Sequence, residues 1–323
     1  MPLLDVSNLS VKFNTEAGVV QALRGISYHI EAGESVGFVG ESGSGKSVSM
    51  LSVLGLLPPN ATVAADGLRF GGRDITSMKK REMKHLRGGE IGMIFQDPMT
   101  SLNPLLTVEQ QLAEPLRIHL RLKRSAARER AMELLRLVEI PAAETRLKQY
   151  PHQLSGGLRQ RVMIASAISC NPKLLIADEP TTALDVTIQA QILDILHELK
   201  ERLGMGIVLI THDMGVIAGM CSRVVVMYGG LICESGDVRE IFYNAKHPYT
   251  NGLLRSIPDA DPEEKHPLAP IPGSPPDMLN PPPGCPFAPR CAHTMRICMT
   301  RAPETTPFSA THSAACWFLR RPA

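Results

Sequence analysis

At 323 residues the chain is long enough for one large domain with an appendage, or for two domains, and in either case for a substantial core. Its 44% apolar and 20% charged residues are those of an ordinary soluble protein, and a formal net charge of +2 gives no reason to expect a nucleic-acid partner. The longest apolar stretches, Met50 to Leu57 and Gly206 to Ile210, fall well short of the roughly 18–20 residues a bilayer-spanning helix needs, so a membrane span is excluded. The start, MPLLDVSNLSVKF, lacks the basic head and long apolar core of a secretory signal; the chain is expected in the cytosol, where stable disulfides are not.

From Pro2 to about Asp237 short apolar runs alternate with longer helical patterns, which is α/β organisation. Leu9, Val11 and Phe13 alternate as one buried face of a strand does. Further strands are expected at SVGFVG, IGMIFQ, LLIADE and GIVLITHD. Between the second and third of these, from about Val108 to Arg146, the apolar spacing is helical and predicts an inserted helical subdomain. Its charged stretch KRSAARER reads as a solvated helix face.

GESGSGKS, Gly40 to Ser47, fits G-x-x-x-x-G-K-[ST] and stands between the apolar strand SVGFV and the helical SVSMLSVLGLL, the two contexts this motif requires. Gly40, Gly43 and Gly45 let backbone N–H groups turn inward around phosphate oxygens, with the positive end of the following helix behind them. Ser42, Ser44 and Val48 are expected to contact the same nucleotide. Lys46 is expected to reach the β- and γ-phosphates, and the Ser47 hydroxyl to coordinate Mg²⁺. KLLIADEP, Lys173 to Pro180, is a buried strand ending in two adjacent carboxylates. There Asp178 would hold the Mg²⁺, directly or through water, and Glu179 would polarise the attacking water as general base.

LSGGLRQR, Leu154 to Arg161, about 110 residues after the phosphate loop and directly before the acidic strand, resembles the signature of the ATP-binding subunits of ABC transporters. Ser155, Gly156 and Gly157 at a helix start make an anion-binding surface, and Gln160 on the same helix is expected to contact the nucleotide with them. The resemblance implies a P-loop ATPase fold of ABC type with ATP and Mg²⁺ as cofactors. It also implies that Ser155 to Gly157 close on the nucleotide held by a partner subunit. In the family's order, Gln96 in IFQDP resembles the Q-loop residue, which implies a catalytic role and a place among the Mg²⁺ ligands. TALD, Thr182 to Asp185, resembles the D-loop, and His212 in LITHD the switch histidine. Phe13 matches the family's adenine-stacking aromatic, although its alternation with Leu9 and Val11 also suits a core strand.

FQDPMTSLNPLLTV (Phe95 to Val108) and HPYTNGLLRSIP (His247 to Pro258) narrow the resemblance to ATPase subunits of dipeptide and oligopeptide importers, with nickel and glutathione importers as relatives carrying similar extensions. That resemblance implies two membrane permease subunits, a second and different ABC ATPase subunit, and an extracytoplasmic substrate-binding protein reached through the permeases. The chain would be peripheral, at the cytoplasmic face of the inner membrane. Soluble ABC ATPases of repair, chromosome organisation or translation form a different class, but they predict long coiled coils, zinc modules or a second cassette, none of which is in the sequence.

The expected organisation is an ATPase domain over residues 1–257, with its helical subdomain at about 105–160, and a proline-rich, cysteine-containing C-terminal extension over residues 258–323. Eleven prolines between Pro258 and Pro286 predict an extended linker. Cys170, Cys221 and Cys233 lie in or beside apolar segments and read as buried thiols. Cys285, Cys291, Cys298 and Cys316, separated by five, six and seventeen residues, lie in a segment poor in core-forming residues that a metal could brace. Zinc usually takes close cysteine pairs, which are absent, although His293 and His312 could substitute. Four thiolates without a close pair suit a [4Fe–4S] cluster, Cys285-Pro286 echoes the habit of cluster ligands, and some importer ATPases carry such a quartet. Unligated thiols remain the third possibility. The segment is remote in sequence from every residue expected to handle ATP.

Overall fold

Leu4–Thr15 and Gly18–Ile30 form an antiparallel hairpin in which Val11 lies opposite Leu23. Leu4 and Val6, then Leu9 and Val11 after a bulge that steps the register, are buried, while Lys12 and Asn14 face solvent. This computed structural model describes residues 1–182, 184–257 and 270–320, and it divides into two units.

The first unit comprises Met1–Ile30, Ser35–Thr76 and Thr211–Ala323. On the other side of Leu4–Thr15, the strands Ala61–Ala64 and Gly67–Phe70 also pair antiparallel. The beginning of the chain is thus an antiparallel sheet and not the α/β alternation expected from Pro2 onward, because its strands carry a buried face and a wet one. Ser35–Val39 is buried along its length and lies parallel to Arg223–Tyr228, which pairs antiparallel with Leu231–Asp237. The tail extends this sheet: Ser313–Ala314 pairs with Leu231–Asp237, and Thr306–Pro307 pairs with Ser313–Ala314.

The second unit comprises Glu31–Glu34 and Ser77–Ile210. Ile91–Ile94, Leu174–Asp178 and Gly206–Thr211 run parallel, with registers from Ile91 opposite Leu174 and from Leu174 opposite Gly206. Their uninterrupted apolar runs are those of strands covered on both faces. Three helices, Val108–His119, Arg124–Leu137 and Ala143–Leu147, occupy the stretch read as helical. A capping box of Thr107 and Gln110 starts the first. In the second, Ala127, Ala131, Leu134 and Leu135 are fully buried while Arg124, Arg128 and Glu129 are exposed, so the charged stretch is a solvated face.

Of the expected linker, residues 258–269 lie outside the described residues. From residue 270 the chain packs on the first unit. The Met278 carbonyl accepts from the Gln21 N–H at 2.9 Å, and the Pro282 carbonyl from Arg24 Nη2 at 3.0 Å. Proline removes its own N–H from pairing but leaves its carbonyl as an acceptor, which is how this stretch docks without joining the sheet.

Glu234, 1% exposed, fastens the tail to the body of this unit: its carboxylate accepts from the Lys246 N–H at 2.6 Å, the His247 N–H at 2.9 Å and His312 Nε2 at 2.7 Å. His247 caps helix Pro248–Arg255, its Nδ1 accepting from the Tyr249 N–H, and burial holds its imidazole down to about 4. An unfolded imidazole, near pH 6.5, takes up a proton that the folded one refuses. This contribution to stability is therefore complete above about pH 6.5 and lost as pH falls toward 4. Thermal melts should lose stability across that window, by on the order of a few kcal/mol, and His247→Asn, which keeps a capping acceptor, should flatten the dependence.

Candidate nucleotide-binding site

The phosphate loop leaves the buried strand Ser35–Val39 and enters helix Lys46–Val53 with Gly45 as its cap. Gly40 and Gly45 have φ of 152° and 103°, conformations that favour glycine. A β-carbon at Gly40 would strike the Met227 carbonyl oxygen, and one at Gly45 would lie 2.6 Å from the Leu23 side chain and 2.9 Å from the Ala22 carbonyl. Side chains are thus excluded where the loop backs onto its neighbours. At the tip, Ser42 and Gly43 are exposed, while Ser44 is buried and Ser47 and Val48 are half-buried. Lys46, 6% exposed, places Nζ 2.7 Å from the Gly40 carbonyl and 3.1 Å from that of Glu41, inside the loop's own curve. From behind, the Tyr249 hydroxyl accepts the Glu41 N–H at 2.8 Å. HPYTNGLLRSIP, a family marker in the sequence, here buttresses the loop physically.

In the second unit, Asp178 ends the buried strand Leu174–Asp178 and is 7% exposed. Glu179 follows with φ of 47°, a left-handed conformation that is uncommon for a residue with a side chain. Its N–H bonds to the Ile210 carbonyl at 2.9 Å. Gln96 Nε2 donates to Glu179 Oε2 at 2.7 Å, and Thr182 Oγ1 donates to the same oxygen at 3.0 Å. Two sequence-distant residues, both expected to be catalytic, are therefore in direct contact. The Ser47 hydroxyl, the Gln96 amide oxygen and the Asp178 carboxylate are hard oxygen donors of the kind Mg²⁺ takes.

Ser155 caps helix Gly156–Ala167, its Oγ accepting from the Leu158 N–H at 3.4 Å. Ser155 and Gly156 are exposed and Gly157 half-buried, so this helix start is open to solvent. Gln160 is 2% exposed and donates to the Pro180 carbonyl at 2.6 Å, which ties the signature helix to the turn after Glu179. Of the D-loop, Ala183 lies outside the described residues, and Asp185 caps helix Val186–Leu203. His212 is exposed, next to Asp213, which caps helix Met214–Met220. Phe13 is half-buried, unlike Leu9 and Val11 on the same face, so its ring is not consumed by the core.

The tail thiols are neighbours. The Cys285 thiol is pushed up to about 11, first by burial, with Cys316, Cys298 and Cys291 contributing in the same direction. Burial likewise raises Cys316, with Cys291 and Cys298 adding to it. Cys233 is raised well above its ordinary range by burial, and Cys285 and Cys316 contribute, so a thiol read as a plain core residue belongs to the same neighbourhood. Among the described residues, however, no group of three or more His, Cys, Asp or Glu side chains is arranged to hold a metal ion. The donors suit a cluster and their arrangement does not, so the geometry does not support the expected [4Fe–4S] cluster. His312, weighed as a substitute zinc ligand, is instead committed to Glu234.

Residues 23–182 match the family model for ABC transporters, and residues 233–298 match the model for the oligopeptide/dipeptide transporter C-terminal region. The chain is 51% identical to the dipeptide transport ATP-binding protein of Bacillus subtilis (strain 168) over 316 residues, covering 98% of this chain and 94% of that one. It is 48% identical to the oligopeptide transport ATP-binding protein of Escherichia coli (strain K12), covering 98% and 93%. Among solved structures it resembles the ATP-binding cassette MJ0796 in a dimeric post-hydrolysis state bound to ADP and Pi. That similarity has a TM-score of 0.66 and 30% identity over 73% of this chain and 99% of that one. A second, cbiO1 of Clostridium perfringens, part of the ABC transporter complex cbiONQ, has a TM-score of 0.63 at 30% identity over 75% and 91%.

The Gln160 amide has a partner that its removal would orphan. Gln160→Ala should cost about 1–3 kcal/mol in a denaturant melt, by leaving the buried Pro180 carbonyl unpaired. A melt unchanged from wild type, with weakened ATP binding instead, would mean that the side chain serves the nucleotide directly.

Proposed function

We propose that this chain, which belongs to the ATP-binding subunits of ABC transporters of the oligopeptide and dipeptide class, couples ATP hydrolysis to the uptake of dipeptides or oligopeptides. The observation that carries the reading is the grip on Glu179. A carboxylate at the end of a buried strand, in left-handed backbone, is held by Gln96 at 2.7 Å and Thr182 at 3.0 Å, which suits a general base that must be aimed at one water.

In the first unit, Gly40, Ser42, Gly43, Ser44, Gly45, Lys46, Ser47 and Val48 would cradle the phosphates, and Phe13 would stack on the base. Mg²⁺ would be held by Ser47, Gln96 and Asp178 and would neutralise charge on the β- and γ-phosphates. Ser155, Gly156 and Gly157 would close on the nucleotide of a second ATPase subunit, and His212 would act near the γ-phosphate. ATP binding closes such a dimer, and hydrolysis reopens it.

Peptide cargo rests on the names of the relatives and on the match to the C-terminal region; nickel or glutathione uptake is the alternative within the family. The partners are two permeases, a second and different ATPase subunit, and a substrate-binding protein reached through the permeases. The permeases would dock near Gln96 and the helical insert, where Met99, Leu105 and Ile118 are apolar side chains exposed at 57%, 82% and 45%. Among the described residues no helix is long and apolar enough to cross a membrane, in keeping with a peripheral subunit. In the tail, a [4Fe–4S] cluster on Cys285, Cys291, Cys298 and Cys316, with zinc as the alternative, rests on the cysteine spacing alone, since among the described residues no side chains are arranged to hold a metal ion.

In the complex reconstituted with its permeases, Glu179→Gln should cut ATP hydrolysis at least about 100-fold and stop peptide uptake while ATP binding persists. Undiminished hydrolysis would remove Glu179 from the chemistry, and hydrolysis without peptide uptake in wild type would remove the cargo. Anaerobic purification should yield brown protein with about four irons per chain if the tail holds a cluster. Colourless protein without iron leaves zinc or free thiols.

A further inference from the structure

Arg290 lies in the middle of GCPFAPRCAHTMRIC, 249 residues from Glu41, yet its guanidinium grips the Glu41 side chain at the second position of the phosphate loop. Nη1 donates to Glu41 Oε2 at 2.6 Å and Nη2 to Oε1 at 3.0 Å, a two-pronged fork. Nη1 also donates to the Tyr228 hydroxyl at 3.0 Å, Nε to the Pro272 carbonyl at 2.7 Å and Nη2 to the Ile271 carbonyl at 3.1 Å. The Arg290 side chain is 5% exposed and that of Glu41 26%. Exposed ion pairs contribute little, but a sheltered fork fixes geometry as well as charge. The Glu41 carboxylate, first among several causes, holds the guanidinium's pKa above its ordinary value.

Glu41 is thereby fastened at three points. Arg290 holds its carboxylate, the Tyr249 hydroxyl holds its N–H, and Lys46 Nζ rests 3.1 Å from its carbonyl. Behind these contacts Tyr228, Tyr249 and Phe287 pack ring to ring, with centroids 4.6 Å to 5.3 Å apart. One ring comes from a core strand, one from helix Pro248–Arg255 and one from the tail.

The turn that presents Arg290 is bracketed by thiols. Ala288 N–H donates to the Cys285 carbonyl at 3.1 Å, Arg290 N–H to that of Phe287 at 3.0 Å, and Cys291 N–H to that of Ala288 at 3.3 Å. Cys285 N–H in turn donates to the Cys298 carbonyl at 2.8 Å. What holds this turn also holds the arginine.

We propose that Arg290 is a positioning residue for the phosphate loop: the cysteine segment, through Arg290 and Glu41, keeps the loop and Lys46 in the shape that receives the phosphates of ATP. The inference rests on the reading that Gly40 to Ser47 bind those phosphates, and it adds that the C-terminal segment completes that site from behind.

The test compares KM for ATP and kcat in the reconstituted complex of the full chain. Arg290→Ala should raise KM about tenfold while kcat stays within about twofold, since a partly buried pair is broken and no reacting group is removed. Arg290→Lys should recover only part of the loss, because an ammonium cannot form the fork. Glu41→Gln should resemble Arg290→Ala, and the double variant should be no worse than either single one. Should Arg290→Ala not fold, Arg290→Lys and Glu41→Gln carry the same test with the volume kept. An unchanged KM in these variants overturns the proposal, and so does an equal rise in Arg301→Ala, which loosens the tail at Trp317 without touching the loop. Lys46→Ala separates the two readings. If it still binds ATP, the phosphate-site reading falls; if it does not, while Arg290→Ala binds ATP as wild type does, only the positioning role falls.

Discussion

A loop that binds phosphate through its backbone must hold several N–H groups inward, in conformations that an unsupported chain leaves readily. Here φ at Gly40, Gly43 and Gly45 is 152°, 77° and 103°, and glycine makes such values accessible without making them stable. Stability comes from behind. The Met227 carbonyl leaves no room at Gly40, Tyr249 takes the Glu41 N–H, and Arg290 takes the Glu41 carboxylate. The supports come from the C-terminal half of the chain, which makes the tail part of the ATPase in energetic terms.

The second unit meets a similar demand by other means. Glu179 adopts left-handed backbone without being glycine, a cost accepted where surrounding contacts over-determine the conformation. The Ile210 carbonyl holds its N–H, Gln96 and Thr182 hold its carboxylate, and Gln160 holds the next residue's carbonyl. Around Glu179, the polar groups are held both from the adjoining turn and from other strands and helices, so the carboxylate is aimed without being rigid itself.

The parts of this arrangement that repeat locally were legible in the sequence. Uninterrupted apolar runs marked Ser35–Val39, Leu174–Asp178 and Gly206–Thr211, and glycine spacing marked the phosphate loop, because strand burial and loop curvature each impose a short-range pattern. Family order picks out Gln96 and Glu179 separately, but nothing in the sequence signals that the two side chains touch. Arg290 was not legible at all. Nothing near it signals a partner 249 residues away, and a lone arginine among prolines reads as surface. The cysteine spacing was visible, but thiol spacing along an irregular chain does not determine where sulfur atoms point. The fifth thiol, Cys233, looked like core because its neighbourhood is assembled by strand pairing between Leu231–Asp237 and the tail.

If the cradle is held from behind, it exists before ATP arrives. Amide hydrogen exchange on the nucleotide-free full chain addresses this directly. The amides of residues 40–47 should exchange slowly, with protection close to that of the neighbouring strand Arg223–Tyr228, and added ATP should slow them only modestly. Fast exchange across residues 40–47 until ATP is added, beside a protected strand, would show that the nucleotide shapes the loop and that the supports described here do not.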